Sequence, residues 1–320
     1  MVRIAYLGPE GTFTEAALLQ MTSAGLVPDQ GPDALRPLPI ESTPAALDAV
    51  RNGDADYACV PIENSIDGSV MATLDSLAID SPLQVFAEIT LDVAFSIVVK
   101  PGRSATDVRT VAAFPVAAAQ VRQWLTAQLP GAELRPAYSN ADAARQVAEG
   151  NADAGVTSPL AAVHWGLAAL ADGVVDEPNA CTRFVLVGLP GPPPARTGAD
   201  RTSVVLRIDN APVALLTALA EFGIRGIDLT RIESRPTRTE LGTYLFFADC
   251  VGHIDDDAVA EALTALHRRC ANVRYLGSWP TGVAAAVLPP PGDEASRWLA
   301  RLRAGKAEQV QDSGSGGFGR

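Results

Sequence analysis

Two patterns of apolar and polar positions follow one another along the chain. In residues 1–188, short apolar runs alternate with segments of helical period. Val2–Leu7 predicts a first strand, and a helix from about Phe13 to Thr22 follows it after a glycine-rich turn. Thr12 and Glu15 have the spacing of a capping box, so Thr12 is expected to begin that helix. Strand, turn and helix in this order predict an α/β domain.

An internal repeat suggests how this part of the chain is divided. Residues 42–56 align with residues 139–153 without a gap. In each copy a polar residue begins a short helix, a glycine ends it, and Ala-Asp leads into an apolar strand. The repeat predicts two α/β lobes of similar build. Chance similarity between two alanine-rich segments is the alternative explanation.

Two apolar segments are expected to connect these lobes. Leu83–Val99 predicts a strand pair that crosses from lobe one into lobe two. Asn179–Val187 has a polar start and an apolar run, which predicts a buried strand that returns to lobe one. Two crossings indicate hinged lobes with a cleft, as in periplasmic solute-binding proteins. We therefore assign lobe one to about residues 1–80 plus 177–188 and lobe two to about residues 81–176.

A second domain is predicted after a proline-rich linker at residues 189–200, because proline lacks the donor that a central strand needs. Residues 201–283 show strands and helices in the order βαββαβ, which is typical of a ferredoxin-like fold. Asn210 is expected to cap the first helix of this domain. The tail, residues 284–320, contains a helical stretch around residues 295–304 and a glycine- and serine-rich end, which predicts flexibility.

Charge and residue usage exclude several functions. A formal net charge of -12 argues against non-specific nucleic-acid binding, which needs clustered Lys and Arg. The chain starts without a basic region, a long apolar segment or a cleavage site, so we expect a cytoplasmic protein with no membrane association. Its four cysteines and three histidines are scattered without the spacing of zinc ligands. No metal and no disulfide framework is predicted.

Polar loops follow the strands of the repeat, and ligands of open α/β sheets bind outside such strand ends. Glu63, Asn64 and Ser65 offer a carboxylate, an amide and a hydroxyl in succession. An alternative is that Glu63 and Asn64 cap the helix that follows. Free backbone N–H groups near Thr12 would form an anion site, although an ordinary strand-turn-helix is the simpler explanation.

Several short motifs stand in one order between about Arg3 and Trp279, and each is weak alone. They are Tyr6–Phe13, Val60–Ser65, Gly68–Val70, Thr73–Asp75, Thr182–Phe184 and Ile232–Pro236. Together they resemble the prephenate dehydratase family with its C-terminal ACT regulatory domain. The two-lobed fold and the βαββαβ unit predicted above match the fold that this resemblance implies.

The resemblance implies a lyase that converts prephenate to phenylpyruvate in phenylalanine biosynthesis, with loss of water and carbon dioxide and without a cofactor. Thr182 would be the catalytic hydroxyl, placed against the leaving ring hydroxyl. Glu63 is the second candidate proton donor, provided that burial favours its protonated form. Arg183 would bind a substrate carboxylate, although an ion pair that braces Thr182 explains it equally well. The full set of expected substrate-binding residues is Thr12, Asn64, Ser65, Thr73, Gln120, Arg183 and Phe184.

The resemblance also implies that L-phenylalanine inhibits the enzyme by binding between paired ACT domains, in a homodimer or homotetramer. The expected pocket consists of Val213, Ala214, Leu215, Leu216, Glu233, Ser234, Arg235 and Pro236.

The chain departs from the family pattern at two places. Ala113-Phe114 stands where many members have Ser-His, so a substrate contact from that serine is not expected. Val213 replaces the glycine of the usual GALV motif, which is expected to narrow the effector pocket.

Two alternatives remain at this level. Arogenate dehydratase differs only in an amino group on the substrate where prephenate has a keto group. A non-catalytic module that binds an aromatic ligand would use the same two lobes.

Overall fold

The computed structural model describes residues 1–28, 35–79, 81–282 and 294–304. The strands among them are β1 (Val2–Leu7), β2 (Leu35–Ile40), β3 (Tyr57–Asn64), β4 (Gly68–Ser69), β5 (Gln84–Asp92), β6 (Phe95–Val99), β7 (Thr110–Ala113), β8 (Glu133–Pro136), β9 (Ala154–Thr157), β10 (Ala168–Val174), β11 (Cys181–Gly188), β12 (Asp200–Arg207), β13 (Leu229–Pro236), β14 (Tyr244–Val251) and β15 (Asn272–Pro280). The α-helices are α1 (Phe13–Ser23), α2 (Thr43–Arg51), α3 (Met71–Ile79), α4 (Pro115–Gln120), α5 (Arg122–Gln128), α6 (Asn140–Glu149), α7 (Pro159–His164), α8 (Ala214–Gly223), α9 (Asp257–Arg269) and α10 (Glu294–Arg303).

Two sheets form the two lobes. Lobe one has the strand order β2-β1-β3-β11-β5, with β4 beside β3, and lobe two has the order β10-β6-β9-β7-β8. The chain passes between the sheets twice, from β5 to β6 and from β10 to β11. The predicted fold, with two crossings and a cleft between lobes, is therefore confirmed. The lobe boundary is corrected, because β5 belongs to the sheet of lobe one although we assigned about residues 81–176 to lobe two.

The internal repeat corresponds to α2 with β3 and to α6 with β9. Ser42 begins α2 by accepting a hydrogen bond from the backbone N–H of Ala45 at 3.3 Å. Ser139 begins α6 in the same way, with Asp142 at 3.0 Å. A serine at this position satisfies one of the N–H groups that the first helical turn leaves free. Each copy thus supplies one helix and one strand to its own lobe.

Local sequence signals failed at two places. Strand β2 was not predicted because Pro37 and Pro39 lack the backbone donor of a central strand. The strand forms at the edge of its sheet, where one side needs no partner. The apolar pattern of residues 118–129 predicts one helix, but the structure has two, α4 and α5, divided at Val121, whose φ of -122° is not helical.

The C-terminal domain is an antiparallel sheet with the order β13-β14-β12-β15, as expected for a ferredoxin-like unit. Helices α8 and α9 cover one face, where Phe222 and Leu266 are fully buried. The prediction that Asn210 caps the first helix is wrong, since α8 begins at Ala214. Val213 precedes it with a φ of 61°, in the left-handed region that favours glycine.

The other face of this sheet packs on lobe one. Phe247 and Trp279 belong to the same buried cluster as Val185 of β11. Gly277 of β15 approaches β5 so closely that an added Cβ would lie 2.3 Å from the carbonyl oxygen of Val85. Glycine is therefore required where the two backbones meet.

The predicted helix in the tail is present as α10, whereas the rest of the tail that we expected to be flexible lies outside the described residues. None of the helices within the described ranges is long and apolar enough to cross a membrane.

Candidate active site

Strand β11 separates two environments, because successive side chains of a strand point to opposite faces. Phe184 packs in the core that contains α1, whereas Val185 packs with Trp279 of the C-terminal domain. Thr182 therefore lies on the α1 side of the sheet, and Arg183 lies on the side of the C-terminal domain. Phe184 is 2% exposed, so it supports the site from the core and does not line the cleft.

The predicted catalytic threonine is hydrogen-bonded to a predicted neighbour from the first polar loop. Thr182 Oγ1 accepts a hydrogen bond from Asn64 Nδ2 at 2.9 Å. Asn64 Oδ1 accepts the backbone N–H groups of Ile66 at 2.8 Å and Asp67 at 3.0 Å, which assigns the orientation of its amide. Because Asn64 donates in this pair, the hydroxyl hydrogen of Thr182 is free to donate to another group.

Two further predicted residues use their hydroxyl groups within the protein. Ser65 Oγ accepts the backbone N–H of Cys181 at 2.9 Å and donates to the carbonyl of Asn179 at 3.2 Å. Thr73 is fully buried and donates to the carbonyl of Pro61 at 2.5 Å. Both residues hold the loop that carries Asn64 against its surroundings.

The Arg183 guanidinium contacts three carboxylates, from Glu63 at 2.8 Å, Glu88 at 3.2 Å and Asp249 at 3.0 Å. Burial alone would lower its pKa, but the charges of Asp249, Glu88 and Glu63 raise it above its usual range. These contacts favour the bracing role of Arg183 over a contact with substrate. The Glu63 side chain is 39% exposed, so the burial on which its role as proton donor depended is not present.

A cavity of about 770 Å³ is lined by both lobes. Thr12 and Phe13, at the start of α1, line it from lobe one. Ser139 and Asn140, at the start of α6, line it from lobe two together with Phe114. The first backbone N–H groups of a helix have no partner within the helix and carry partial positive charge. The cavity thus has two helix starts that favour anionic groups.

Sequence reasoning did not identify the lobe-two lining of this cavity. Ser139 and Asn140 were interpreted only as the start of a helix, although they follow β8 as Thr12 follows β1. Asn140 Oδ1 is buried and has no hydrogen-bond partner among the described residues. Neither Thr182 nor Asn64 is one of the described residues that line the cavity. The helix starts that favour anions and the hydrogen-bonded pair of Thr182 and Asn64 are therefore separate parts of the site.

One acidic side chain at the cavity is held by several donors. Burial would raise the pKa of Asp142, but hydrogen bonds from the Tyr138 backbone, Arg145 and Gln146 keep it below its usual value. Its negative charge is therefore compensated within lobe two.

The side chain of Gln120 lies in lobe two and is 8% exposed. Its backbone carbonyl accepts the N–H of Asp176 at 2.6 Å, close to the second crossing. Gln120 Oε1 is buried without a hydrogen-bond partner among the described residues. An unpaired buried amide oxygen is costly, so this atom is a candidate for contact with a ligand.

The predicted effector residues lie at the start of α8 and on two faces of β13. Ala214 and Leu215 line a cavity of about 210 Å³ in the C-terminal domain. Val213 and Leu216 are 70% and 67% exposed. On β13, Ser234 and Pro236 are exposed, whereas the side chains of Glu233 and Arg235 contact lobe one.

Metal binding and thiolate chemistry are two further possibilities for a site of this kind. No group of His, Cys, Asp and Glu within residues 1–28, 35–79, 81–282 and 294–304 is arranged to hold a metal ion. Burial raises the pKa of the Cys59 and Cys250 thiols to about 12 each, so neither is a thiolate nucleophile at neutral pH.

Comparison with known families agrees with this arrangement. The family model for prephenate dehydratase matches residues 4–191, and the ACT domain model matches residues 202–268. The chain belongs to the prephenate dehydratase family. It is 82% identical over 310 residues to the prephenate dehydratase of Mycobacterium tuberculosis (strain ATCC 25618 / H37Rv), covering 97% of each chain.

Solved structures show the same fold. The crystal structure of prephenate dehydratase from Arthrobacter aurescens, in complex with L-Phe, has a TM-score of 0.84 and 40% identity, covering 95% of this chain and 98% of that one. A quorum-quenching acylase has a TM-score of 0.75 and 28% identity, with coverage of 87% and 98%. Because the fold of the prephenate dehydratase family also occurs in a protein described by another activity, the function must be argued from the site.

Proposed function

We propose that this chain converts prephenate to phenylpyruvate, with Thr182 as the catalytic hydroxyl, and that L-phenylalanine inhibits it through the ACT domain. The hydrogen bond from Asn64 to Thr182 Oγ1 is the observation that carries the proposal. It leaves the threonine as a donor, which is what the departing ring hydroxyl requires.

The reaction needs little more than a placed donor. The bond between the ring and its carboxylate breaks, and its electron pair enters the ring, which becomes aromatic as the opposite C–O bond breaks. The departing oxygen takes up one proton, so the products are phenylpyruvate, carbon dioxide and water. Thr182 is a weak acid, so it donates a hydrogen bond and passes on a proton that the solvent supplies, without becoming an alkoxide. General-acid assistance of this kind is worth about 100- to 10,000-fold in rate.

The substrate carries two carboxylates although the protein has a net charge of -12, so local donors must hold it. The starts of α1 and α6 supply backbone N–H groups at the cavity between the lobes. In this proposal these N–H groups bind the carboxylate on the side chain of the substrate, and Thr12 and Asn140 lie beside that carboxylate. Gln120 contributes its unpaired amide oxygen to the substrate. Asn64, Ser65 and Thr73 position residues 61–69, which we call the catalytic loop.

Regulation and assembly belong to the same proposal. A solved relative contains L-Phe, and the ACT domain of this chain has a cavity beside Ala214 and Leu215. Val213, Leu216 and Ile232 are exposed apolar side chains of this domain, which favours pairing of two copies in a homodimer or homotetramer. Residues 1–188 would form the catalytic domain and residues 201–283 the regulatory one, in a cytoplasmic protein.

The test is phenylpyruvate formation from prephenate by the purified protein, in buffer with a chelator, with and without L-phenylalanine. We expect turnover that survives the chelator and falls with L-phenylalanine. A parallel assay with arogenate separates the two dehydratase activities. Folded protein that binds prephenate but turns over neither compound would overturn the proposal in favour of a binding module.

A further inference from the structure

Strand β13 of the ACT domain has one outer face and one face toward lobe one. On the outer face, Ile232 and Ser234 are exposed, and Ile232 is 49% accessible. On the other face, Arg231, Glu233 and Arg235 make polar contacts that reach the catalytic domain directly or through one residue. The strand thus lies between the proposed effector surface and the lobe that carries Thr182.

The first contact is an ion pair with two parallel hydrogen bonds. Arg235 donates from Nε to Asp75 Oδ1 at 2.9 Å and from Nη2 to Asp75 Oδ2 at 2.8 Å. The side chains are 16% and 12% exposed, so solvent screens the pair less than a surface pair. Asp75 lies in α3, two residues after Thr73. The Thr73 hydroxyl holds Pro61, at the start of the segment that carries Asn64.

The second contact lies closer to Asn64. Ser69 Oγ donates to Glu233 Oε2 at 3.0 Å. Ser69 belongs to β4, which pairs with the end of β3, where Gly68 is opposite Asn64. A displacement of Glu233 along β13 would therefore move Ser69 and the end of β3, which carries Asn64.

The third contact reaches the residue next to Thr182. Arg231 donates to Asp249 at 2.9 Å and 3.1 Å, and Asp249 also accepts from Arg183 at 3.0 Å. Asp249 is 1% exposed. A buried carboxylate shared by two arginines fixes the position of both, because each charge is costly without its partner.

We propose that Glu233 and Arg235 of the ACT domain are positioning residues for the catalytic loop, and that β13 transmits effector binding to Asn64 and Thr182 through Ser69 and Asp75. The inference rests on the proposed function and specifies how regulation reaches the site. An effector that binds the outer face of β13 shifts the catalytic loop only as far as its affinity differs between two positions of the strand. Allosteric coupling of this kind typically changes the affinity for one ligand about 5- to 150-fold when the other ligand binds.

The decisive variant is Asp75→Asn, which keeps the shape of the side chain and removes the charge that Arg235 contacts. The matched control is Asp56→Asn, because Asp56 accepts two side-chain hydrogen bonds from Arg3 within lobe one, away from the ACT domain. For each protein we would measure L-phenylalanine binding directly, and kcat/KM for prephenate with and without saturating L-phenylalanine.

We expect Asp75→Asn to bind L-phenylalanine. The ratio of kcat/KM without L-phenylalanine to kcat/KM with it should move at least about fivefold toward one, because allosteric coupling is typically of at least this size and would be lost. Asp56→Asn should keep the parental ratio. Ser69→Ala should reduce the ratio in the same direction, and Asp75→Asn combined with Arg235→Gln should behave like Asp75→Asn alone. An unchanged ratio in Asp75→Asn and Ser69→Ala would overturn the proposal.

Hydrogen exchange of residues 61–75 distinguishes failure of this inference from failure of the proposed activity, because it needs no turnover. Adding L-phenylalanine should change protection of this segment in the parent and in Asp56→Asn, but not in Asp75→Asn. If the parent lacks turnover yet shows this pattern, only the proposed activity fails. Identical exchange with and without L-phenylalanine in the parent would contradict the coupling itself.

Discussion

Lobe one meets the rest of the molecule at two boundaries of opposite character. Toward lobe two there is a cavity of about 770 Å³, bridged by a hydrogen bond from the Ser158 hydroxyl to the carbonyl of Gly11. Toward the ACT domain, Phe247 and Trp279 are fully buried and Arg183 joins three carboxylates. Burial of apolar area holds the second boundary together, whereas the first leaves space for a ligand and for hinge motion.

A single strand, β11, thus serves both chemistry and domain assembly. β11 presents Thr182 to one side and Arg183 to the other. A change at Thr182 should alter turnover with little effect on stability, and a change at the partners of Arg183 should alter stability first.

The largest expected effect is on the Thr182 side. Thr182→Ala should lower kcat about 100- to 10,000-fold, because the leaving oxygen loses its placed donor. The free energy of unfolding should change by only about 1 kcal/mol, since one hydrogen bond from Asn64 is lost. Steady-state kinetics and urea denaturation measure the two quantities. Thr182→Ser, which keeps the hydroxyl, is the control, and an alanine variant with more than a tenth of the parental kcat would refute the role.

On the opposite side, Asp249→Ala should lower the free energy of unfolding by about 3–5 kcal/mol, because Arg231 and Arg183 lose a buried partner. Denaturant unfolding measures this difference. Asp255→Ala is the control, since the Asp255 side chain is 71% exposed and should contribute less than about 1 kcal/mol. Equal losses in both variants would show that the network does not hold this boundary.

The ion pairs of Asp249 also predict that the free energy of unfolding depends on pH. Burial would raise the pKa of Asp249, but Arg231, Arg183 and the Ser203 hydroxyl hold it well below its usual range. The unfolded chain therefore takes up the proton first, at about pH 4, and the stabilisation is lost progressively as the pH falls below about 5. Denaturation at several pH values should show a shallower loss below pH 5 for Asp249→Ala than for the parent.

A smaller effect on turnover tests the direction of the hydrogen bond between Asn64 and Thr182. Asn64→Asp replaces a donor with a carboxylate that accepts the Thr182 hydroxyl, so kcat should fall about 10- to 100-fold, as a hydrogen bond to a charged group is worth about 1.5–3 kcal/mol. Asn64→Ala, which removes the contact without capturing the proton, should lose less. The reverse order of the two variants would contradict the assigned direction.

The smallest expected effect concerns a backbone contact at the ACT boundary. Gly277→Ala should lower the free energy of unfolding by about 1–3 kcal/mol more than Gly198→Ala, because its Cβ would meet the carbonyl of Val85. Both glycines have positive φ, at 133° and 86°, but an added Cβ at Gly198 meets nothing within 4 Å. Thermal or denaturant unfolding compares the two. Equal destabilisation would mean that backbone conformation alone, without close packing, explains the cost.

Much of the fold could be predicted from the periodicity of apolar residues and from the residues that begin and end helices. The repeat of Ser, helix, Gly and Ala-Asp predicted two lobes because capping and helix termination are local interactions. The order βαββαβ was equally readable, since each element is short and regular. Strand β2 was not predicted, because Pro37 and Pro39 argue against a central strand and the sequence does not show that this strand lies at the edge of its sheet.

The site was predicted less completely, for a reason that lies in strand geometry. From the sequence alone it follows that Thr182 and Arg183 point to opposite faces of a strand, and that Glu233 and Ser234 do the same, because the side-chain period of a strand is two. Packing between distant parts of the chain sets which face of β11 meets α1 and which meets the ACT domain, and it turns Glu233 of β13 toward lobe one. Arg183 finds Asp249 and Arg235 finds Asp75 across long stretches of chain, and no local pattern specifies such partners.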